Sequence, residues 1–318
     1  YRRQRQMCIR DRVNTSVFPD IGSITANYRT LLDHLARSSV SVDSLRIASI
    51  RQTCEGHDYF RDALGGYWRA QEFIPHTCNL TAPANPQQAA AAGKALGQFH
   101  TLFSGLSPDT LVDTLPDFHN TPRYLGLYDQ ARDSASVQAS PELSFAEEYV
   151  AAQRSTAHII ETAIQRGELP QRVTHGDPKM DNMLFDKHRV FVISLIDLDT
   201  VMAGSTLHDL ADCIRSCCRI RDIPEASFDL NLCTALLRAY HAETHRYTAA
   251  SERGYWYDAI RLIPYELGIR FLTDYLKGDV YFKVEYPGQN LERAVLQFKL
   301  MMSIERRQHE LRQIIADL

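Results

Sequence analysis

The chain reads as an α+β protein of two lobes, a small strand-bearing lobe followed by a mainly helical one. Three observations lead there. Strand-like apolar stretches fall early, at residues 40–50 and 67–74, with Gly65-Gly66 as a turn before the second. Helix signals dominate afterwards, from the Asn85-Pro86 opening and its run Ala89-Ala-Ala-Ala-Gly to a long helical stretch over residues 144–166. One strand pair interrupts the helices, residues 182–185 and 190–196, joined by the polar turn Asp186-Lys187-His188-Arg189. At 318 residues the chain can bury two sizeable cores.

The elements follow in order. Residues 1–12, Tyr1-Arg-Arg-Gln-Arg-Gln-Met-Cys-Ile-Arg-Asp-Arg12, are basic and lack the apolar core of a signal peptide. They are expected to be a non-native lead, with a basic interaction arm as the alternative. Residues 13–75 are expected to form a partial N-terminal lobe and residues 76–318 the C-terminal lobe. The apolar positions Ile21, Ile24, Leu31, Leu32 and Leu35 predict a helix over residues 20–36. The strands at 40–50 and 67–74 come next, with Trp68 and Phe73 read as core, and Ile74-Pro75-His76 links the lobes. The helix opened by Asn85-Pro86 runs to Phe103. In the later strand pair, Val190-Phe-Val-Ile-Ser-Leu-Ile196 is almost wholly apolar, which predicts burial, and Asp197 emerges at its end. Gly204-Ser205-Thr206 then caps a helix with Asp209 in its first turn, continuing through Cys213, Cys217 and Cys218.

The chemistry lies in His175-Gly-Asp177-Pro-Lys179-Met-Asp-Asn182 and the later Ile196-Asp197-Leu-Asp199. In kinase loops an Asp accepts the proton of the acceptor hydroxyl, and an Asn five residues on and an Asp after the next strand hold Mg²⁺. Asp177, Asn182 and Asp197 meet that spacing. Phosphoryl transfer asks a protein for positioning, charge neutralisation and one proton acceptor, and a loop followed by a strand pair brings those groups to one edge. Lys179 reads as a phosphate-contacting cation or as a solvated surface lysine. His175 reads as a shaper of the loop, and Asp199 as a turn residue or second metal ligand. Glu266, Arg270 and Asp274 recur every four residues, so they form one helical stripe, either a surface ion-pair ladder or a polar wall facing a ligand.

These motifs, with Gly204 seven residues after Asp197 and Asp209-Leu-Ala behind it, resemble the aminoglycoside phosphotransferase/choline kinase superfamily. Tyr67-Trp68-Arg69 with Phe73-Ile74, Pro116-Asp-Phe-His119-Asn-Thr-Pro122, Ile196-Asp-Leu-Asp-Thr-Val-Met202 and the segment from Glu266 to Lys283 resemble its N-acetylhexosamine 1-kinase group. The resemblance implies a two-lobed protein-kinase-like fold and transfer of the ATP γ-phosphate to the anomeric hydroxyl of GlcNAc or GalNAc. It implies Asp177 as base assisted by Lys179, and Asn182 and Asp197 as Mg²⁺ ligands. It implies adenine held at the hinge around Phe73, Ile74 and His76, and a sugar held by Asp177, Arg270, Asp274, Tyr281 and His119. Tyr281 reads as a ring-stacking residue or a core anchor. In two respects the chain departs from the pattern. No Lys precedes Lys94, and the helix over 20–36 contains no Glu, with Ala26 standing where related sugar kinases carry one.

Composition excludes other classes. A net charge of −4 without a long basic block past residue 12 argues against nucleic-acid binding. No stretch has the uncharged apolar length of a membrane span. Seven cysteines without a regular framework fit a reducing cytosol, and Cys213, Cys217 and Cys218, with no C-x-x-C pair, read as buried thiols. The expected partner is a small-molecule sugar, and the oligomeric state is left open.

Overall fold

The computed structural model describes residues 8–40, 42, 45–220 and 227–318. The chain opens with β1 (Cys8–Arg12) and α1 (Ile21–Arg37). Asp20 caps α1 by accepting the Gly22 amide, and Ile21, Ile24 and Leu31 turn inward as their spacing predicts. β2 (Ile50–Arg51), β3 (Tyr59–Arg61) and β4 (Tyr67–Glu72) complete an antiparallel sheet centred on β4, with β1 along one edge of it and β2 and β3 along the other. The segment expected to stand outside the fold thus supplies a strand, with Arg12 opposite Trp68.

The strand expected over residues 40–50 is not formed. Only Ile50–Arg51 joins the sheet, and Arg46 makes a single parallel bridge to Ser194; residues 41, 43 and 44 lie outside the described residues. Leu45 and Ala48 are buried, the Arg46 and Ser49 side chains turn to Glu72, and isolated backbone bonds from Arg46 to Ile193 and from Glu72 to Ser49 stand in for a ladder. Trp68 is not core: it is 37% exposed, and its indole N–H donates to Asp62.

β5 (Thr77–Asn79) leaves the small sheet for the larger body, pairing with a later strand. α2 (Pro86–Leu102) is capped by Asn85 with Pro86 at its first position. α3 (Thr121–Ser134) follows. The single helix expected over 144–166 is instead α4 (Pro141–Gln153), a 3₁₀ turn (Arg154–His158) and α5 (Ile159–Gln165). The Thr156 hydroxyl bonds the Gln153 carbonyl where the helix breaks, the local competition expected of Ser and Thr. β6 (Arg172–Thr174), β7 (Met183–Asp186), β8 (Val192–Leu195) and β9 (Met202–Gly204) build two small sheets, β5-β7-β8 and β6-β9. α6 (Thr206–Cys217), capped by Ser205, precedes the pair β10 (Arg219–Ile220) and β11 (Ser227–Phe228). α7 (Leu230–Thr244), α8 (Ala250–Arg253), α9 (Trp256–Leu276), α10 (Gln289–Glu305) and α11 (Gln308–Ala316) finish the body.

One continuous apolar core runs through this body, from Leu31 on α1 to Leu311 on α11, and includes Cys213, Cys217 and Cys218. α2 packs so tightly on α7 that a Cβ on Gly93 would lie 2.3 Å from the Leu236 carbonyl oxygen. No helix among the described residues is long and apolar enough to cross a membrane.

Candidate active site

The site is built on the β6–β9 ladder. His175-Gly-Asp177 leaves the end of β6, and Asp197 with the turn Leu198–Thr200 enters β9, whose Met202 stands opposite Thr174. The two loops therefore leave one short ladder side by side. Gly176 sits between them at φ +85°, where a Cβ would lie 2.6 Å from the Thr200 carbonyl oxygen, so glycine is required both by conformation and by space.

The Asp177 loop is clamped from two directions. From α6, Asp209, fully buried, accepts the amides of His175 at 2.7 Å and Gly176 at 2.8 Å. It also meets His100 Nε2 at 2.8 Å, and His100 Nδ1 lies 2.9 Å from the Tyr240 hydroxyl. From α9, Glu266 bonds His119 Nδ1 at 3.0 Å, and His119 Nε2 donates to the Gly176 carbonyl at 2.9 Å. Both ring nitrogens of His119 thus face acceptors, which only the imidazolium satisfies. Burial pushes its pKa down, but the Glu266 carboxylate and the two hydrogen bonds more than offset that, leaving it raised. His175 shapes the loop, as expected: it is buried and shifted toward neutrality, and its Nε2 lies 3.1 Å from the Ile196 carbonyl of the neighbouring loop.

Asp177, Lys179 and Asp197 line one cavity of about 330 Å³. The Lys179 ammonium bonds the Asp177 carboxylate directly. Burial raises the Asp177 pKa, the Asp212 charge raises it further, and Lys179 only partly reverses this, so the carboxylate is a stronger proton acceptor than an exposed one. The Asn182 Nδ2 donates to the Asp177 carbonyl at 2.8 Å and to its carboxylate at 3.1 Å, which leaves the lone pairs of the amide oxygen open to a metal ion. Asp197, an exposed residue in the left-handed region at φ 65°, has no hydrogen-bond or ion-pair partner among the described residues. Among those residues no three His, Cys, Asp or Glu side chains form a metal cluster. A Mg²⁺ site needs none: one carboxylate, one amide oxygen, water and nucleotide phosphates suffice, and the open oxygens of Asn182 and Asp197 are hard donors of that kind.

The remaining predicted residues divide. Arg270, Tyr281 and His119 line the same cavity as Asp177. The Arg270 guanidinium lies 5.3 Å from the Phe118 ring centroid, 5.0 Å from that of Tyr124 and 5.7 Å from that of Phe282. Asp274 does not reach the cavity wall. Its oxygens accept the amides of Val280, Tyr281 and Phe282 and the Asn290 side chain, so it holds the loop that carries Tyr281. The surface-ladder reading of the Glu266–Arg270–Asp274 stripe is overturned, because Glu266 and Asp274 are buried and each bonds partners off the stripe. Phe73, Ile74 and His76 lie together in the β4–β5 connection, and none of them lines the Asp177 cavity. Ile74 is buried with its carbonyl taken by the Thr77 hydroxyl, and His76 is exposed at φ 62°. Asp199 is paired with Arg69 of β4 rather than placed as a metal ligand.

Three residues, Asp212, Arg215 and Arg69, carry no role in the sequence reading. Asp212 and Arg215 of α6 line the Asp177 cavity and bond one another at 2.7 Å. Their spacing from Asp209, one turn apart on one helix, was the available signal. Arg69 and the aromatic setting of Arg270 left none, because their partners are distant in the chain.

Fold and loop pair together define a kinase-like phosphotransferase. More particularly, residues 25–250 match the model of the phosphotransferase enzyme family of the aminoglycoside phosphotransferase type, and the chain belongs to that family. The fold is similar to that of an aminoglycoside phosphotransferase from Alicyclobacillus acidocaldarius, with a TM-score of 0.60 and 17% identity over 98% of this chain and 87% of that one. It is also similar to an amicoumacin kinase in complex with AMP-PNP, Ca²⁺ and its ligand, with a TM-score of 0.57 and 13% identity over 96% and 84% of the two chains. A spectinomycin phosphotransferase in complex with ADP and spectinomycin gives a TM-score of 0.55 and 11% identity over 95% and 86%.

Proposed function

We propose that the chain transfers the γ-phosphate of ATP to the anomeric hydroxyl of an N-acetylhexosamine, GlcNAc or GalNAc. The observation that carries the acceptor class is the charge balance of the Asp177 cavity. Asp177 is matched by Lys179, Asp212 by Arg215 and Glu266 by His119. A polycationic aminoglycoside wants unmatched carboxylates, and this wall offers none beyond Asp197. A quaternary ammonium wants empty aromatic faces, and those of Phe118, Tyr124 and Phe282 are filled by the chain's own Arg270. A neutral polyhydroxyl acceptor suits such a cavity, and Arg270 with Tyr281 at its edge suits hydroxyl and carbonyl oxygens. The sequence resemblance to the N-acetylhexosamine 1-kinases supports the particular sugar.

In this reading Asp177, held by Asn182 and the Gly176 clamps, orients the sugar hydroxyl and takes its proton at Oδ2 or Oδ1. Lys179, already on Asp177, offsets negative charge on the transferring group. Asn182 and Asp197 would hold Mg²⁺, which when bound neutralises the nucleotide phosphates. Adenine would lie at the β4–β5 connection around Phe73, Ile74 and His76.

The test is ADP release from MgATP with GlcNAc, GalNAc, glucose, choline and kanamycin as acceptors. Release dependent on the N-acetylhexosamines and lost in Asp177→Asn is expected. Faster turnover of kanamycin or choline overturns the charge argument. A nucleotide-binding protein without transfer, a reading favoured by the absence of Glu from α1, would bind MgATP yet release no ADP with any acceptor.

A further inference from the structure

Among the described residues that line the Asp177 cavity, Asp212 has a buried side-chain oxygen that the protein leaves unanswered. Asp212 is 6% exposed, and its Oδ1 accepts the Arg215 Nε. Its Oδ2 is buried and has no hydrogen-bond partner. A carboxylate oxygen withdrawn from water without a donor is costly, and such atoms in native folds are satisfied by something that binds. Here the surroundings say what kind of group that is. An ionised carboxylate only accepts, so the ligand must donate. The Asp212 charge is already matched by Arg215, so the donor need not be a cation. The same cavity is lined by Asp177, whose partner is the reacting hydroxyl, and α6 fixes both residues, Asp212 directly and Asp177 through Asp209.

We infer that Asp212 determines acceptor specificity: its Oδ2 accepts a hydrogen bond from a second hydroxyl of the acceptor, one that does not react. The inference rests on the proposal that this cavity is the acceptor side of a phosphotransferase. It deepens that proposal by requiring a polyhydroxyl acceptor, because a lone alcohol would leave Oδ2 unpaired. A site built to bond a hydroxyl rejects the analogue that lacks it far more strongly than an apolar pocket does.

The experiment is a cycle between protein and substrate. Rates are measured for the native chain and Asp212→Asn with GlcNAc and its 3-, 4- and 6-deoxy analogues. The native chain should lose tenfold or more in kcat/KM on one of these analogues. Asp212→Asn should treat that analogue and GlcNAc within about threefold of each other, with the KM for MgATP and the melting temperature unchanged. Discrimination that survives in Asp212→Asn, or its absence in the native chain, overturns the inference and leaves Asp212 as an anchor for Arg215. If Asp212→Asn melts early, Asp212→Ser serves in its place. If GlcNAc is not an acceptor but another panel member is, the sugar reading falls alone, and the same cycle with deoxy forms of that acceptor judges Asp212. If none of the acceptors reacts or binds, both fall together.

Discussion

Gly176→Ala is the sharpest single perturbation of the site. The residue sits at φ +85°, where an L-residue costs about 1–2 kcal/mol. Its new methyl would lie 2.6 Å from the Thr200 carbonyl oxygen, 2.8 Å from the Thr200 Cβ and 3.0 Å from its hydroxyl. None of these atoms can simply swing away. Thr200 closes the turn Leu198–Thr200, and its hydroxyl donates to the His175 carbonyl at 2.7 Å. Overpacking of this kind costs about 1–3 kcal/mol, so the total loss is about 2–5 kcal/mol. Relief comes only by moving the Asp177 loop away from the Asp197 loop, and a displacement of about 1 Å in a reacting geometry lowers kcat roughly a hundredfold. Thermal melting and initial rates of ADP release check both parts. Gly126→Ala is the control: it lies in α3 with nothing within 4 Å of the new Cβ, and should stabilise by about 0.5–1 kcal/mol. A Gly176→Ala chain with native melting and native kcat refutes the argument.

Three further outcomes are expected. Asp177→Asn should lower kcat by about 10²–10⁴ while leaving MgATP affinity intact, whereas Asp197→Ala should weaken MgATP binding itself; calorimetric titration separates the two. Stability should decline on either side of a middle pH range, read from melting temperatures in a buffer series. The raised pKa of His119 gives stability that is complete below the usual histidine value of 6.5 and is lost as pH rises through the folded pKa, a limb that His119→Gln should flatten. His208, pushed down to about 4 by burial and by the neighbouring His119 charge, is neutral in the fold, so acidification from 6.5 toward 4 should cost up to about 3 kcal/mol, and His208→Gln should remove that limb. Finally, Asp274→Ala strips the bonds that fix residues 280–282, and should raise the acceptor KM more than it lowers kcat; equal effects on both would contradict a loop-holding role.

The loop that carries Asp177 was legible because its spacing is local. Residues set around one hairpin are placed by the hairpin: Asp177 and Asp197 line one cavity, and Asn182 bonds Asp177. Helix termini were legible for the same reason, since Asp20, Asn85 and Ser205 each cap through a backbone amide a few residues on. What failed was non-local. Nothing near Arg69 announces Asp199, 130 positions away. The apolar stretch over residues 40–50 suggested a strand, yet a strand needs a ladder along its length, and only Ile50–Arg51 found one. The charged stripe on α9 stayed open between a surface ladder and a polar wall because helical spacing reports a face and not its neighbours. Its partners come from far along the chain: His119 bonds Glu266 from 147 positions away, and Asn290 bonds Asp274.

The grip of Asp209 on the Asp177 loop has a consequence for how acceptor preference can drift. α6 is one rigid rod carrying Asp209, Asp212 and Arg215. Shift or retilt it to admit a different molecule and the Asp177 loop moves with it, so in the proposed reaction mutations that reshape that wall lose turnover before any new substrate rewards them. Another part of the cavity lining, Tyr281 and Phe282, shows no such tie among the hydrogen bonds of the described residues. Val280–Phe282 hangs from Asp274 and touches no part of the base loop's amide clamp. Relatives that have exchanged one acceptor for another should therefore differ most in that hanging loop and least along α6, a pattern that comparison of specificities across the family would expose.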